Sequence, residues 1–269
     1  MTTNAAATAI AAPRRRIGLA AAWRIERTKI RTSWFLIGAV ILAAFAQILG
    51  AWNYTTNLSA FQEQGITWVA IWAQGGIMVT TVFMPLLYVV FLAHAESLEY
   101  QTRGWQRIVS VDRIASAVLG KVLVALELAL IGMGVYYVTA VITGLLLGFD
   151  PADPTGPGIL LPWGLCGALG AWAIGTVTVM LATWIRTFAT LSATGLGAII
   201  VGMVLTSAMP PLAAGYPFTL ITFGMGARAA AQAETFTSPI TMIGTATVCV
   251  AWVALSAVVT ISRIRRREW

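Results

Sequence analysis

The chain has one histidine, two cysteines and few charges, and each shortage closes a route to chemistry. His94 alone cannot assemble a metal or haem site, and its spacing from Cys166 and Cys249 does not suggest a catalytic pair. The two thiols lie in separate apolar stretches and read as small core hydrophobes, neither a disulfide nor a ligand pair. No metal site and no catalytic residue is therefore expected. A phosphate-cradling loop needs Gly-x-x-x-x-Gly-Lys-Ser/Thr. The one Gly-Lys pair, Gly120-Lys121, is followed by Val122 and has Ala115 at the first glycine position. Energy for any transport must then come from an ion gradient or a separate subunit. A cleavable signal peptide is not expected either, because the first apolar run begins at Trp34 and is too long for one.

What the chain has instead is apolar length. It is 58% apolar and 10% charged, against about 25% charged in an average soluble domain. Six apolar stretches run over Trp34–Trp52, Thr67–Ala93, Ala117–Leu147, Gly158–Trp184, Leu191–Met209 and Pro239–Ile261. Each is near or above the roughly 20 residues that a helix needs to cross a hydrocarbon core. Of 17 Lys and Arg, seven lie in the N-terminal arm, four at or near the second connection, one in the fourth and four in the C-terminal tail. Only Arg228 lies on the other side. Positive charge near span ends is retained in the cytoplasm, so both termini are expected inside. The formal charge of +7 is thus read as membrane topology, not nucleic-acid binding.

Residues 1–16 are expected to form a disordered tail, 17–33 an interfacial helix, 34–261 a single six-span domain and 262–269 a basic cytoplasmic tail. On a helical wheel Leu19, Ala22, Trp23 and Ile30 share one face while Arg24, Arg27 and Arg31 share another, as in a helix lying along a membrane surface. Glu26 falls on the edge of the apolar face, where lipid burial is costly, and either meets protein or stays solvated. In the second connection Glu99 and Arg103 stand i,i+4, so the second span is expected to continue as a helix until Gly104 permits a break. Trp105, Ile108 and Val111 then form an apolar row beside Arg107 and Arg113, a short amphipathic helix suited to docking a cytoplasmic partner. The segment from Pro210 to Ser238 is too apolar for an exposed loop and too short for two crossings, and reads as helices dipping into the outer leaflet, with Arg228 and Glu234 in outside water.

Polar residues within the spans are few. Glu127 falls about ten residues into the third apolar stretch, near mid-bilayer at about 1.5 Å per residue. It either lines a translocation path or bonds a neighbouring helix. Lys121 is expected to snorkel to the interface. Gln47 and Gln74 join Glu127 as path candidates, though such amides more often bond helix to helix. Pro85 is expected to kink the second span. Trp34, Trp52, Trp68, Trp163 and Trp184 near span ends read as an aromatic belt.

Two segments carry a family resemblance. The arm Arg24-Ile25-Glu26-Arg27-Thr28-Lys29, running on to Trp34, resembles the interfacial connecting helix of ABC transporter permease subunits of the type-2 exporter class. The run from Glu96 to Lys121, with Glu99, Arg103, Gly104-Trp105-Gln106-Arg107 and Arg113, resembles their coupling-helix region. The Gly104–Arg107 element and Tyr216-Pro217 are similar to the branch concerned with lantibiotic immunity and peptide-antibiotic efflux, although Val109-Ser110-Val111-Asp112-Arg113 lacks that branch's proline turn.

The resemblance implies an all-α fold with six transmembrane helices, both termini inside, a coupling helix between spans two and three and re-entrant outer helices between spans five and six. It implies a multi-pass protein of a bacterial cytoplasmic membrane, paired with a second permease copy or homologue and with two ABC ATPase subunits that bind ATP and Mg, this chain holding no cofactor itself. Glu96, Glu99, Arg103, Trp105, Gln106, Arg107 and Arg113 would transmit ATPase motion, with Trp23, Glu26 and Lys29 of the arm beside them. A gradient-driven transporter and a non-transporting scaffold are the alternative readings.

Overall fold

A computed structural model describes residues 18–63, 65–226 and 239–267, so the expected tail, Arg228 and Glu234 lie outside the described residues. All regular structure among the described residues is helical. α1 (Leu19–Arg27) is amphipathic and ends in a turn that leads into α2 (Thr32–Thr56), the first span. A short α3 (Leu58–Glu63), not anticipated from sequence, caps the first loop. The second span is continuous from α4 (Trp68–Met78) through a π-helical turn at Val79–Phe83 into α5 (Met84–Gln101). Pro85 sits just after that turn. Because proline has no N–H to donate, its effect emerges as a wider turn one residue upstream and not as a broken helix.

α6 (Gly104–Ser110) follows, then α7 (Ile114–Leu146), α8 (Pro157–Ala182) and α9 (Phe188–Ala208). Two short helices, α10 (Pro210–Ala213) and α11 (Leu220–Gly224), flank a 3₁₀ turn at Pro217–Thr219, and α12 (Pro239–Arg265) closes the chain. Six of these rods are long and apolar enough to cross a membrane. The second and third spans, of 34 and 33 residues, are about 50 Å long at 1.5 Å per residue, against a hydrocarbon thickness of about 30 Å. Their ends therefore have length to spare beyond the apolar layer, and it is at one such end that the charged residues meet.

α8 is the packing centre. Its small residues let neighbours approach closely: a side chain on Gly170 would strike the backbone of Leu220 and Ile221, and one on Gly175 would stand 3.0 Å from Ala125 Cβ. The four-residue series Gly167, Ala171, Gly175, a weak signal in so Gly-rich a chain, thus faces α7, α5 and α11. By contrast α2 and α9 leave Trp34, Ile41, Ile48, Ile200 and Val204 exposed, the lipid-facing surface expected of outer rods.

The belt reading holds for only part of its tryptophans. Trp34, Trp52 and Trp184 are exposed, but Trp68 and Trp163 are buried. Trp68 Nε1 donates to the carbonyl of Asp150 at 2.9 Å, which fixes the ring inside the protein instead of at a headgroup.

Candidate functional site

Five charged side chains from three helices meet where α1 crosses the end of the bundle. Glu26 and Lys29 come from α1 and the turn that follows it, Glu96 and Glu99 from α5, and Lys121 from α7. Lys121 Nζ lies 3.0 Å from Glu26 Oε2, 2.7 Å from Glu96 Oε1 and 3.1 Å from Glu99 Oε1. Lys29 Nζ stands 2.7 Å from Glu26 Oε1 and also bonds Glu99 Oε1. Lys121, Glu26, Glu96 and Glu99 are each at most 5% exposed, and Lys29 closes the cluster on its solvent side.

Lys121 does not snorkel. Three carboxylates within reach hold it in place, and an ammonium with three donors can satisfy all three. The geometry is that of a knot: Glu26 and Glu99 each reach both Lys121 and Lys29, and Glu96 reaches Lys121. Burying an ion costs several kcal/mol, and only mutual pairing of this density offsets it. Glu99 is therefore turned into the bundle and does not pair with Arg103 as the i,i+4 spacing implied. Arg103 instead ends α5 in the left-handed region, φ 53°, and starts α6. The second span does continue as a helix, as far as Gln101.

Two glycines make the knot possible. A side chain on Gly104 would run into Glu99 Oε2, so only glycine lets α6 fold back over that carboxylate. A Cβ on Gly120 would lie 2.8 Å from the Ala22 carbonyl oxygen, so α1 seats on α7 with backbone against backbone. Trp105 then lies 1% exposed beneath α6, with Lys121 Nζ 5.1 Å from its ring centroid, a cation–π contact that ties α6 to the same ammonium. Arg103, Gln106 and Arg107 are exposed around it, as is Arg113 just before α7.

A second contact holds α1 farther along α7. Glu127 accepts from Trp23 Nε1 at 2.8 Å through one oxygen and from Arg27 Nε at 2.7 Å through the other. Of the two roles open to Glu127, the geometry is that of a bond to a neighbouring helix. Arg27 was not singled out from sequence, and the helical wheel placed it on a solvent face.

Gln47 is buried where α2 crosses α4, its amide against Gly75, and Gln74 Oε1 accepts from Asn53 Nδ2 at 2.8 Å. The structure thus brings Glu26, Lys29, Glu96, Glu99 and Trp105 together around Lys121, places Trp23 at the second contact on Glu127, and leaves Gln47 and Gln74 in a separate seam. Lys121 as the hub was missed. The signal for it existed: Glu96 and Glu99 stand i,i+3 on one helix face at the end of an apolar span, and a buried carboxylate pair there needs a cation from elsewhere. No cluster of potential metal ligands forms among the described residues, and Cys166 and Cys249 are separate buried thiols.

Six apolar rods with a charged cluster at one end, and an amphipathic helix strapped across it, define a multi-pass membrane protein. Residues 23–208 match the model of the ABC-2 family transporter protein, and the chain belongs to that family. The match opens at Trp23 on α1 and closes at the end of α9, so it contains the whole ion cluster. No curated protein matches the chain. Permeases of this family are transport subunits, generally without ATPase motifs of their own, and work with an ABC ATPase.

Proposed function

We propose that the chain is the membrane-spanning subunit of an ATP-driven exporter, moving a hydrophobic or amphipathic substrate out of the membrane or cell with energy from a separate ATPase. One observation supports this above the others. α6, the element offered for docking, is bound through Trp105 and Gly104 to a buried ion cluster that also holds α1, α5 and α7. A push on α6 therefore reaches three helices at once, two of them spans. In this reading α6 is the coupling helix, the α1 end faces the cytoplasm, α10 and α11 are re-entrant from outside, and two ATPase copies holding ATP and Mg serve a pair of permeases in a bacterial cytoplasmic membrane.

Within that class the Gly104–Arg107 element and Tyr216-Pro217 favour a peptide-antibiotic cargo of the lantibiotic type. Tyr216 OH donates to the Ala198 carbonyl at 3.0 Å, so this element fixes the link between α9 and α11.

Purification of the chain from its native membrane should bring an ABC ATPase with it, and the chain alone should hydrolyse no ATP. In the assembled transporter, Trp105→Ala with Arg107→Ala should leave insertion and ATPase binding in place while export per ATP hydrolysed falls several-fold. Unchanged coupling would remove the docking role from α6. Export that stops when the proton gradient is collapsed at constant ATP would point to a gradient-driven carrier instead.

A further inference from the structure

Between α1, α6 and the start of α7 lies an open cleft of 420 Å³ that the ion pairs do not fill. Ile25, Ile108 and Val111 line it with apolar surface, and Lys29, Arg107 and Arg113 supply positive charge. Glu26 and Glu99 also border it, so three cations face two carboxylates. Both carboxylates are already taken by Lys29 and Lys121. Arg107 and Arg113 make no ion pair among the described residues, and both are exposed. The cleft thus has two unspent guanidinium groups, which bind phosphate oxygens in a forked geometry that an ammonium lacks.

We propose that this cleft binds the phosphate headgroup of an anionic phospholipid, and that Arg107 and Arg113 hold it. The lipid source, as against a free phosphate ion, follows from two observations. Ile25 and Val111 at the cleft are 50% and 51% exposed, apolar surface that a soluble anion would leave wet and that glycerol and the first methylenes would cover. The cleft also lies beside the second span's end at Gln101 and the third span's start at Ile114, on the side that the proposed function turns to the inner leaflet. Basic pockets between span ends are suited to such headgroups. A bound lipid would bridge α1 to α6 across this cleft, so the position of α6 would depend on the charge of the surrounding leaflet. This proposal stands without a partner ATPase.

The test uses the full chain alone in detergent, titrated with phosphatidylglycerol, phosphatidylcholine or inorganic phosphate and read by native mass spectrometry. Phosphatidylglycerol should bind on the order of tenfold more tightly than phosphatidylcholine. The Arg107→Gln, Arg113→Gln double variant should lose that preference, and the Arg107→Lys, Arg113→Lys variant should keep part of it. Equal binding of the two lipids, or a preference that survives the Gln substitutions, overturns the proposal. Saturation by inorganic phosphate at the concentration that saturates the lipid also overturns it, by showing a free-anion site. A photo-activatable phosphatidylglycerol on the unmodified chain gives a reading that needs no variant to fold. Adducts confined to α1, α6 and the first turns of α7 support the site, and adducts distributed evenly over the span surfaces sink it.

Discussion

At the α1 end, five charged side chains on three segments share one buried cluster centred on Lys121. At the far end the second span is held by neutral hydrogen bonds involving main-chain carbonyls, to the loop after α7, to the turn after α11 and to α7 itself. Trp68 donates to Asp150, Trp72 Nε1 to Met225 at 2.9 Å, and Tyr136 OH to Trp72 at 2.6 Å. Each neutral bond contributes about 1 kcal/mol and can be lost singly. The ion cluster is different in kind, because its three carboxylates share Lys121, whose removal leaves Glu96 buried without a cation and Glu26 and Glu99 with Lys29 alone. The far end is built to hold, piece by piece. The α1 end couples its pairs through one shared cation.

The largest expected effect comes from the hub. Lys121→Met leaves three buried carboxylates facing one another, and loss of one partner from a buried ionic group costs about 3–5 kcal/mol. Thermal unfolding of the purified chain should show it, with little folded protein recovered. Adding Glu26→Gln, Glu96→Gln and Glu99→Gln to Lys121→Met should restore most of the stability, since uncharged amides leave no uncompensated charge. A single Lys121→Met protein that melts with the unaltered one would show that the two ends do not differ.

Backbone contact gives the next effect. Gly120→Ala pushes a methyl to within 2.8 Å of the Ala22 carbonyl oxygen, and overpacking of this sort costs about 1–3 kcal/mol. Gly134→Ala, on the same helix with nothing within 4 Å of its new methyl, should be neutral or mildly stabilising. Hydrogen exchange of α1 should rise in the first variant and stay fixed in the second. Equal responses would mean that α1 is not seated on α7 by that contact.

Much of the architecture was legible because lipid-facing rods leave a plain mark. The six spans emerged within a few residues at most boundaries; the second ran on as a helix past its apolar stretch, which ends at Ala93, to Gln101, as expected, and the sixth past Ile261 to Arg265. Both overruns are charged. Hydropathy ends a span where polarity begins, whereas a helix ends where its hydrogen bonds do. The pairing of charges was not legible. Glu99 has Arg103 four residues away in sequence, yet its partners are Lys29 and Lys121, 70 and 22 residues distant. Local spacing reports only what one helix can offer itself. The choice among partners is made where α1 lies across α7, which depends on Gly120 and Ala22, residues with no charge at all.

The smallest effect lies at the far end, at a carboxylate in the loop after α7. Asp153 accepts from the Thr155 backbone N–H at 2.7 Å, from Thr155 Oγ1 at 2.8 Å and from Thr67 Oγ1 at 3.1 Å. The Thr155 amide, first among these donors, holds its carboxyl below the ordinary aspartate range. A carboxylate with a lowered folded pKa adds stability at any pH above its unfolded value. That contribution fades as pH falls from the unfolded value through the lowered folded one, and is gone below both. Asp153 is only half-buried, so the contribution is small. Asp153→Asn should therefore shift the thermal midpoint slightly at neutral pH and progressively less as pH falls below the ordinary aspartate range, with exchange of residues 150–156 rising while α1 is unmoved. An Asp153→Asn effect that persists undiminished in acid would mean that the turn is held by shape and not by charge. One that spreads to α1 would mean that the two ends of the bundle are not independent, and the contrast between a divisible end and a coupled end would fail with it.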